Sequence, residues 1–133
     1  MKLISNFSFR FTSIFLLSLP LFIGFLASSC ESKEESILKV YVRDESNDLL
    51  PKAKVIIIGN TKSNPATIDY VDTVFTDELG VAVFNMEEFY TLSGKSVNSG
   101  FFDVLVKHLE KNATGEIRVK EHITSVLTVN FQP

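Results

Sequence analysis

The chain has 133 residues, with 16 acidic and 13 basic side chains, a net charge of −3, and 45% hydrophobic residues. A single cysteine excludes an internal disulfide, and the acidic balance excludes binding to nucleic acid or to anionic phospholipid through a basic patch. The length allows one domain with one core behind whatever leader the chain carries.

The first 29 residues hold Lys2 and Arg10 and no acid, a charge of +2. Phe11 to Phe25 is built of Phe, Ile, Leu and small polar residues, broken by Pro20 and Gly24, and the small residues Ala27, Ser28 and Ser29 follow. That order predicts a secretory signal peptide over residues 1–29. A transmembrane helix is the competing reading, since the apolar span approaches the roughly 20 residues a bilayer needs. Pro20 lacks a helix donor, and no basic stop-transfer cluster follows, so the leader is favoured.

Cys30 stands directly behind the small residues, and Leu26-Ala27-Ser28-Ser29-Cys30 resembles the lipobox of bacterial lipoproteins. Leu26 sits one place further from the cysteine than in the strict pattern. The resemblance implies a thiol acylated with diacylglycerol, cleavage before Cys30, and acylation of the new amine. Each buried methylene adds about 0.8 kcal/mol, and one chain holds only marginally, so two or three chains make a lasting anchor. Lys33-Glu34-Glu35 then resembles the signal that sends lipoproteins of the Bacteroidetes group to the outer face of the outer membrane. Residues 30–36 accordingly read as a lipidated tether, and the expected location is the outer membrane, with the domain exposed at the cell surface. The charged tether is also what a solvated, unfolded linker needs.

Beyond the tether the sequence predicts short strands. Ile37 to Arg43 alternates, with Leu38, Val40 and Val42 on one face. Asp44 to Leu50 is polar and turn-rich. Ala53 to Gly59 is β-branched and nearly continuous, as expected of an interior strand with Val55 and Ile57 inward. Asn60 to Ala66 reads as an exposed loop. Tyr70 to Thr76 and Val81 to Asn85 are expected to form a hairpin across Asp77-Glu78-Leu79-Gly80, with Gly80 at positive φ. Met86 to Tyr90 is expected to make a single helical turn, and Phe101 to His108 a strand with Phe102, Val104 and Val106 inward. Leu109 to Gly115 is expected to turn the chain. Glu116 to Glu121 and Ser125 to Phe131 close it as short strands, the last packing through Val126 with Leu127, Val129 and Phe131. Seven short strands predict an all-β fold, a seven-stranded antiparallel β-sandwich of Ig-like architecture.

Two motifs carry a resemblance across this region. Leu50-Pro51-Lys52-Ala53-Lys54-Val55 and Thr76-Asp77-Glu78-Leu79-Gly80-Val81-Ala82-Val83-Phe84 resemble the Leu-Pro-x-Ala-x-Val and Thr-Asp-x-x-Gly-x-Ala-x-Phe segments of carboxypeptidase regulatory-like domains. The resemblance covers about Ile37 to Phe131 and implies a transthyretin-like (prealbumin-like) sandwich over residues 37–133. It also implies an accessory or scaffold module without catalytic residues of its own. The family's short Pro-Gly-x-Tyr turn is replaced here by the longer Met86 to Gly100 segment.

Constellations that could carry chemistry are sparse. His108 and His122 have no metal-ligand partners at useful spacing, and a zinc site needs three or four ligands. Asp44-Glu45-Ser46-Asn47-Asp48 alternates acids, but Leu49-Leu50-Pro51 supplies neither the glycine nor the terminal Glu of a calcium loop. Asp69, Asp72, Asp77 and Glu78 could gather near one hairpin end, although Asp69 and Asp72 fall on opposite sides of a strand. There is no Gly-x-Ser-x-Gly elbow and no Gly-rich phosphate loop. Neither a metal nor another cofactor is expected. Asp72-Thr73-Val74 resembles the O-glycosylation acceptor of Bacteroidetes proteins, which makes Thr73 a candidate acceptor; Asn112-Ala113-Thr114 has only the form of an N-glycosylation site.

The expected function is that of a non-catalytic envelope lipoprotein whose sandwich engages an envelope protein or glycan partner through sheet edges or the Met86 to Gly100 segment. The alternative is a carbohydrate- or small-ligand-binding accessory protein using aromatics of segment 86–102. Phe89, Tyr90 and Phe101 are the residues that decide between the two, since a ligand platform needs them exposed around a concavity.

Overall fold

Alternation of apolar and polar side chains builds most of the body in the computed structural model, which describes residues 32–133. The seven strands are β1 (Ile37–Arg43), β2 (Lys54–Gly59), β3 (Val71–Phe75), β4 (Val81–Asn85), β5 (Ser99–His108), β6 (Lys111–Lys120) and β7 (Thr124–Asn130). One helix, α1 (Glu87–Ser93), follows β4. Leu38, Val40 and Val42 of β1, Val55 and Ile57 of β2, and Phe102, Val104 and Val106 of β5 all point inward and are buried. The leader and Cys30 lie outside the described residues.

The strands form two sheets, ordered β4-β1-β7 and β3-β2-β5-β6. Their pairing departs from the expected one in two ways. The sheets are not wholly antiparallel, because β1 and β7 run parallel, with Lys39 opposite Val126 and Tyr41 opposite Thr128. Parallel neighbours need a long connection, and here the entire intervening chain supplies it. Nor do β3 and β4 make a hairpin. Strand β3 pairs with β2, Lys54 opposite Phe75, whereas β4 pairs with β1, Lys39 opposite Val83. The Asp77 to Gly80 turn does form, with Asp77 N–H donating to Val81 O (2.9 Å), but it carries the chain from one sheet to the other.

The long hairpin belongs instead to β5 and β6, which pair along their whole lengths from Ser99–Lys120 to His108–Lys111 around Leu109 and Glu110. Strand β6 therefore starts at Lys111, within the stretch expected to be a turn. The parity of β7 also corrects one inward assignment. Val126 is aligned with outward-facing Lys39 and is exposed, while Val129 and Phe131 are buried and Leu127 packs against the core.

The motifs Leu50-Pro51-Lys52-Ala53 and Thr76 to Gly80 meet at the corner where the chain changes sheets. The buried Thr76 hydroxyl donates to Leu50 O (2.7 Å) and accepts from Ala53 N–H (2.8 Å). Backbone bonds between Thr76 and both Lys52 and Ala53 reinforce the contact. Asp77 Oδ1 accepts from Leu79 and Val81 N–H, the side-chain closure that favours Asp in turns. Gly80 has φ +70°, and a Cβ there would lie 2.8 Å from Leu50 N, so both conformation and space demand glycine.

At the opposite pole, where the chain enters the body, Ser36 is buried between α1 and the β6–β7 turn. Its N–H donates to Glu87 Oε1 (2.8 Å), its carbonyl accepts from Met86 N–H (2.8 Å), and its Oγ accepts from His122 N–H (2.9 Å). The Ser36 backbone N–H, with its hydroxyl second, holds the Glu87 carboxyl below its ordinary pKa of 4.5; desolvation opposes this, and His122 adds a lesser lowering. Because the folded pKa is the lower one, this clamp contributes fully above pH 4.5 and is lost as pH falls through the folded value. The urea midpoint of a Glu87→Gln variant is therefore expected to lie below that of the parent at neutral pH and to converge with it in acid. A constant gap across the titration would contradict the clamp.

Among the described residues the core runs from Leu38 to Phe131, and Lys33–Pro133 form one compact unit.

Candidate functional site

The pole opposite Ser36 gathers the Asp44 to Leu50 loop, the Asp77 to Gly80 turn and the β5–β6 turn. The first of these is stiffened from within. Asp44 Oδ1 accepts from Ser46 N–H (2.8 Å) and Asp48 N–H (3.0 Å), Asp44 N–H donates to Asp48 O (2.9 Å), and Asn47 takes φ +68°. Arg43 Nη1 donates to Asn47 O (2.8 Å) and closes the loop from its base. The string of acids is thus a hydrogen-bonded surface turn whose leading carboxylate already serves the backbone.

Between this loop and the β5–β6 turn lies a groove of about 530 Å³. Leu50, Leu109 and the buried Phe131 supply apolar surface, His108 stands at the end of β5, and Asp44, Glu45 and Glu110 give the lining an acidic character. Lys111 pairs with Glu45 beside it. Leu109 is 90% exposed and holds φ +53°, a backbone state that costs a branched residue energy. The arrangement suits an apolar group carrying positive charge. Sequence reasoning did not assemble this groove, because its residues come from four separated segments. The only local sign is the pair of polar turns, Asp44 to Leu50 and Leu109-Glu110, whose strand directions bring them to one end.

The two histidines lie at opposite poles. His122, at φ +60°, contacts Glu34 O through Nδ1 (3.1 Å) and approaches Glu121 through Nε2 (3.5 Å). Among the described residues no three His, Cys, Asp or Glu side chains group as metal ligands. Asp69 and Asp72 flank the start of β3, while Asp77 and Glu78 follow its end, so the four acids do not gather.

The aromatic segment closes inward. Asn85 Oδ1 accepts from Glu87 N–H (3.0 Å) at the start of α1, and Glu87 and Glu88 favourably occupy its first turn. The seven-residue helix is longer than the single turn expected, and it presses Phe89 and Tyr90 into the core, where they are 1% and 6% exposed. Phe89 packs edge-to-face on Phe102 (4.9 Å between centroids) and Tyr70 (5.5 Å). Gly100 makes room, since a Cβ there would fall 2.6 Å from Phe89 Cζ. The Tyr90 hydroxyl donates to Val119 O (3.1 Å), and burial, followed by Glu121 and Glu87, pushes it up to about 12. Phe101 is separate from this cluster and half-buried on the outer face of β5, with Arg118 over its ring (5.4 Å). The three aromatics do not converge on a concavity.

Lys33, Glu34 and Glu35 are exposed ahead of Ser36, and Thr73 is exposed on the outer face of edge strand β3. Among the described residues no helix is long and apolar enough to cross a membrane.

No protein-family model and no curated protein sequence matches the chain. Among solved structures it is similar to the TIE protein of Bacillus anthracis, at 16% identity and a TM-score of 0.49, covering 74% of this chain and 16% of that one. It is also similar to catechol 1,2-dioxygenase of Acinetobacter sp. ADP1, at 12% identity and TM-score 0.47, over 79% of this chain and 55% of that one. Chlorocatechol 1,2-dioxygenase of Pseudomonas putida gives 12% identity, TM-score 0.48, and coverage of 75% and 61%. The chain spans less than two thirds of each of these proteins, and the likeness carries no activity over to it.

Proposed function

We propose that this chain is a non-catalytic lipoprotein of a bacterial envelope, held at the outer membrane by acyl groups on Cys30. Its β-body is a carboxypeptidase regulatory-like module of transthyretin type that engages another envelope component. The observation that carries the reading is the junction at Cys30, where a cationic apolar leader ends in small residues and an acidic tether begins. The two motifs behind the family resemblance support it, because they hold each other through Thr76 at one corner. Lys33-Glu34-Glu35, exposed ahead of Ser36, is in keeping with surface export.

Recognition rather than ligand capture fits the aromatics, since Phe89 and Tyr90 are spent on the core. The groove at Leu50, His108 and Phe131 and the open edges of β3 and β4 are the surfaces such a module offers a partner. Expressed in a Bacteroidetes host, the full chain is expected to fractionate with the membrane and to enter the detergent phase on Triton X-114 separation. Cys30→Ser should abolish incorporation of labelled fatty acid and leave the leader uncut. Fatty-acid labelling of the variant equal to that of the parent would remove the basis of the proposal.

A further inference from the structure

The outer face of the β3-β2-β5-β6 sheet has a charge pattern that an isolated body does not explain. Its middle row runs Thr73, Ile56, Leu105, Thr114 across the four strands. On one side of that row Lys54 stands directly across from Lys107, and on the other Asp103 stands directly across from Glu116. Like charges in register on neighbouring strands destabilise a sheet. Among the described residues none of the four has a salt-bridge partner; the nearest cation beyond the acids, Arg118, is stacked on Phe101. The same face also leaves Val71 and Phe75 60% and 61% exposed at its β3 margin, more apolar surface than an edge strand ordinarily leaves in water.

We propose that this face docks a second copy of the chain, related by a two-fold axis lying across the strands along the Thr73–Ile56–Leu105 row. Such an axis exchanges the two sides of the row while keeping each strand opposite its own copy. Lys107 then meets Asp103 of the partner subunit, and Phe75 meets Val71 of the partner subunit. Leu105 and Ile56 meet their own copies at the centre. An axis along the strands would set the lysine pair against itself, so the charge pattern selects one arrangement of the two. The proposal does not depend on the lipid anchor. A glycan on Thr73 would lie on the axis at the β3 margin of this face, so only chains unmodified at Thr73 can pair this way.

Residues 32–133, made without glycosylation, test it by sedimentation equilibrium. At about 100 µM the expected species is a dimer. Lys107→Glu alone and Asp103→Lys alone should each weaken association at least ~10-fold, and the double variant should restore it to within a few-fold of the parent. Circular dichroism of each variant verifies that these outward-facing changes leave the fold intact. Leu105→Cys, on the axis and in a segment that otherwise lacks cysteine, should form a disulfide-linked dimer on mild oxidation. Lys39→Cys, on the outer face of the other sheet, should not. A monomer at this concentration, a dimer indifferent to the single reversals, or failure of the double variant to recover would each overturn the proposal.

Discussion

Replacing Phe89 with Ala is expected to cost about 3–5 kcal/mol, the range for truncating a buried aromatic. The ring is 1% exposed and touches three others, Tyr70, Tyr90 and Phe102, at centroid separations of 5.5, 4.9 and 4.9 Å. It fills the space that Gly100 leaves on β5. The cavity cannot close by local collapse, because Phe102 lies on a central strand and Tyr90 is tied to Val119 O. Since domains of this size hold only about 5–15 kcal/mol in total, the variant should be near the edge of folding. Urea unfolding of residues 32–133 measures the loss. Phe89→Leu, which keeps most of the volume, should cost less than about 1.5 kcal/mol. Equal small losses for both variants would mean that Phe89 faces solvent and that the aromatic-platform reading regains its support.

Thr76→Val should cost about 2–4 kcal/mol although it preserves shape almost completely. The change deletes one hydroxyl that satisfies two backbone groups, Ala53 N–H at 2.8 Å and Leu50 O at 2.7 Å, at a residue 4% exposed. A buried polar group left without its partner costs about 1–3 kcal/mol, and here two are affected together. Thr76→Ser retains the hydroxyl and should recover most of the loss, which separates the hydrogen bonds from the methyl contact. The same urea series reads both. A Val variant as stable as the parent would show that the two motifs do not brace each other.

These two sites also indicate what a single sequence can reveal. The inward faces of β1, β2 and β5 follow from strict alternation, and the turn at Asp77 to Gly80 from its Asp and Gly chemistry. That turn chemistry fixes a reversal of the chain but not the partner of the strand that follows, and here β4 pairs with β1 in the other sheet. Pairing of β1 with β7 depends on contacts between residues far apart in sequence, such as Lys39 and Val126, and the same register turns Val126 outward. Phe89 and Tyr90 look equivalent to exposed loop aromatics in one dimension. Only the helical spacing of α1 and the absent side chain at Gly100 bring them inside. The groove beside Phe131 and the opposed charge pairs on the outer sheet face depend on register in the same way.

The proposed recognition would use the groove and sheet edges, and the proposed anchoring depends on the chemistry of Cys30, where Leu26 to Ser29 meets the acidic tether. Acyl chains there would be added through a thioether and the newly exposed amine, with each methylene contributing about 0.8 kcal/mol to retention. Mass spectrometry of the N-terminal peptide, from protein extracted from a Bacteroidetes membrane, tests this most directly. The account predicts a peptide that begins at Cys30 and carries diacylglyceryl and N-acyl groups. A peptide that retains the leader, or that shows Cys30 as an unmodified thiol, would contradict it.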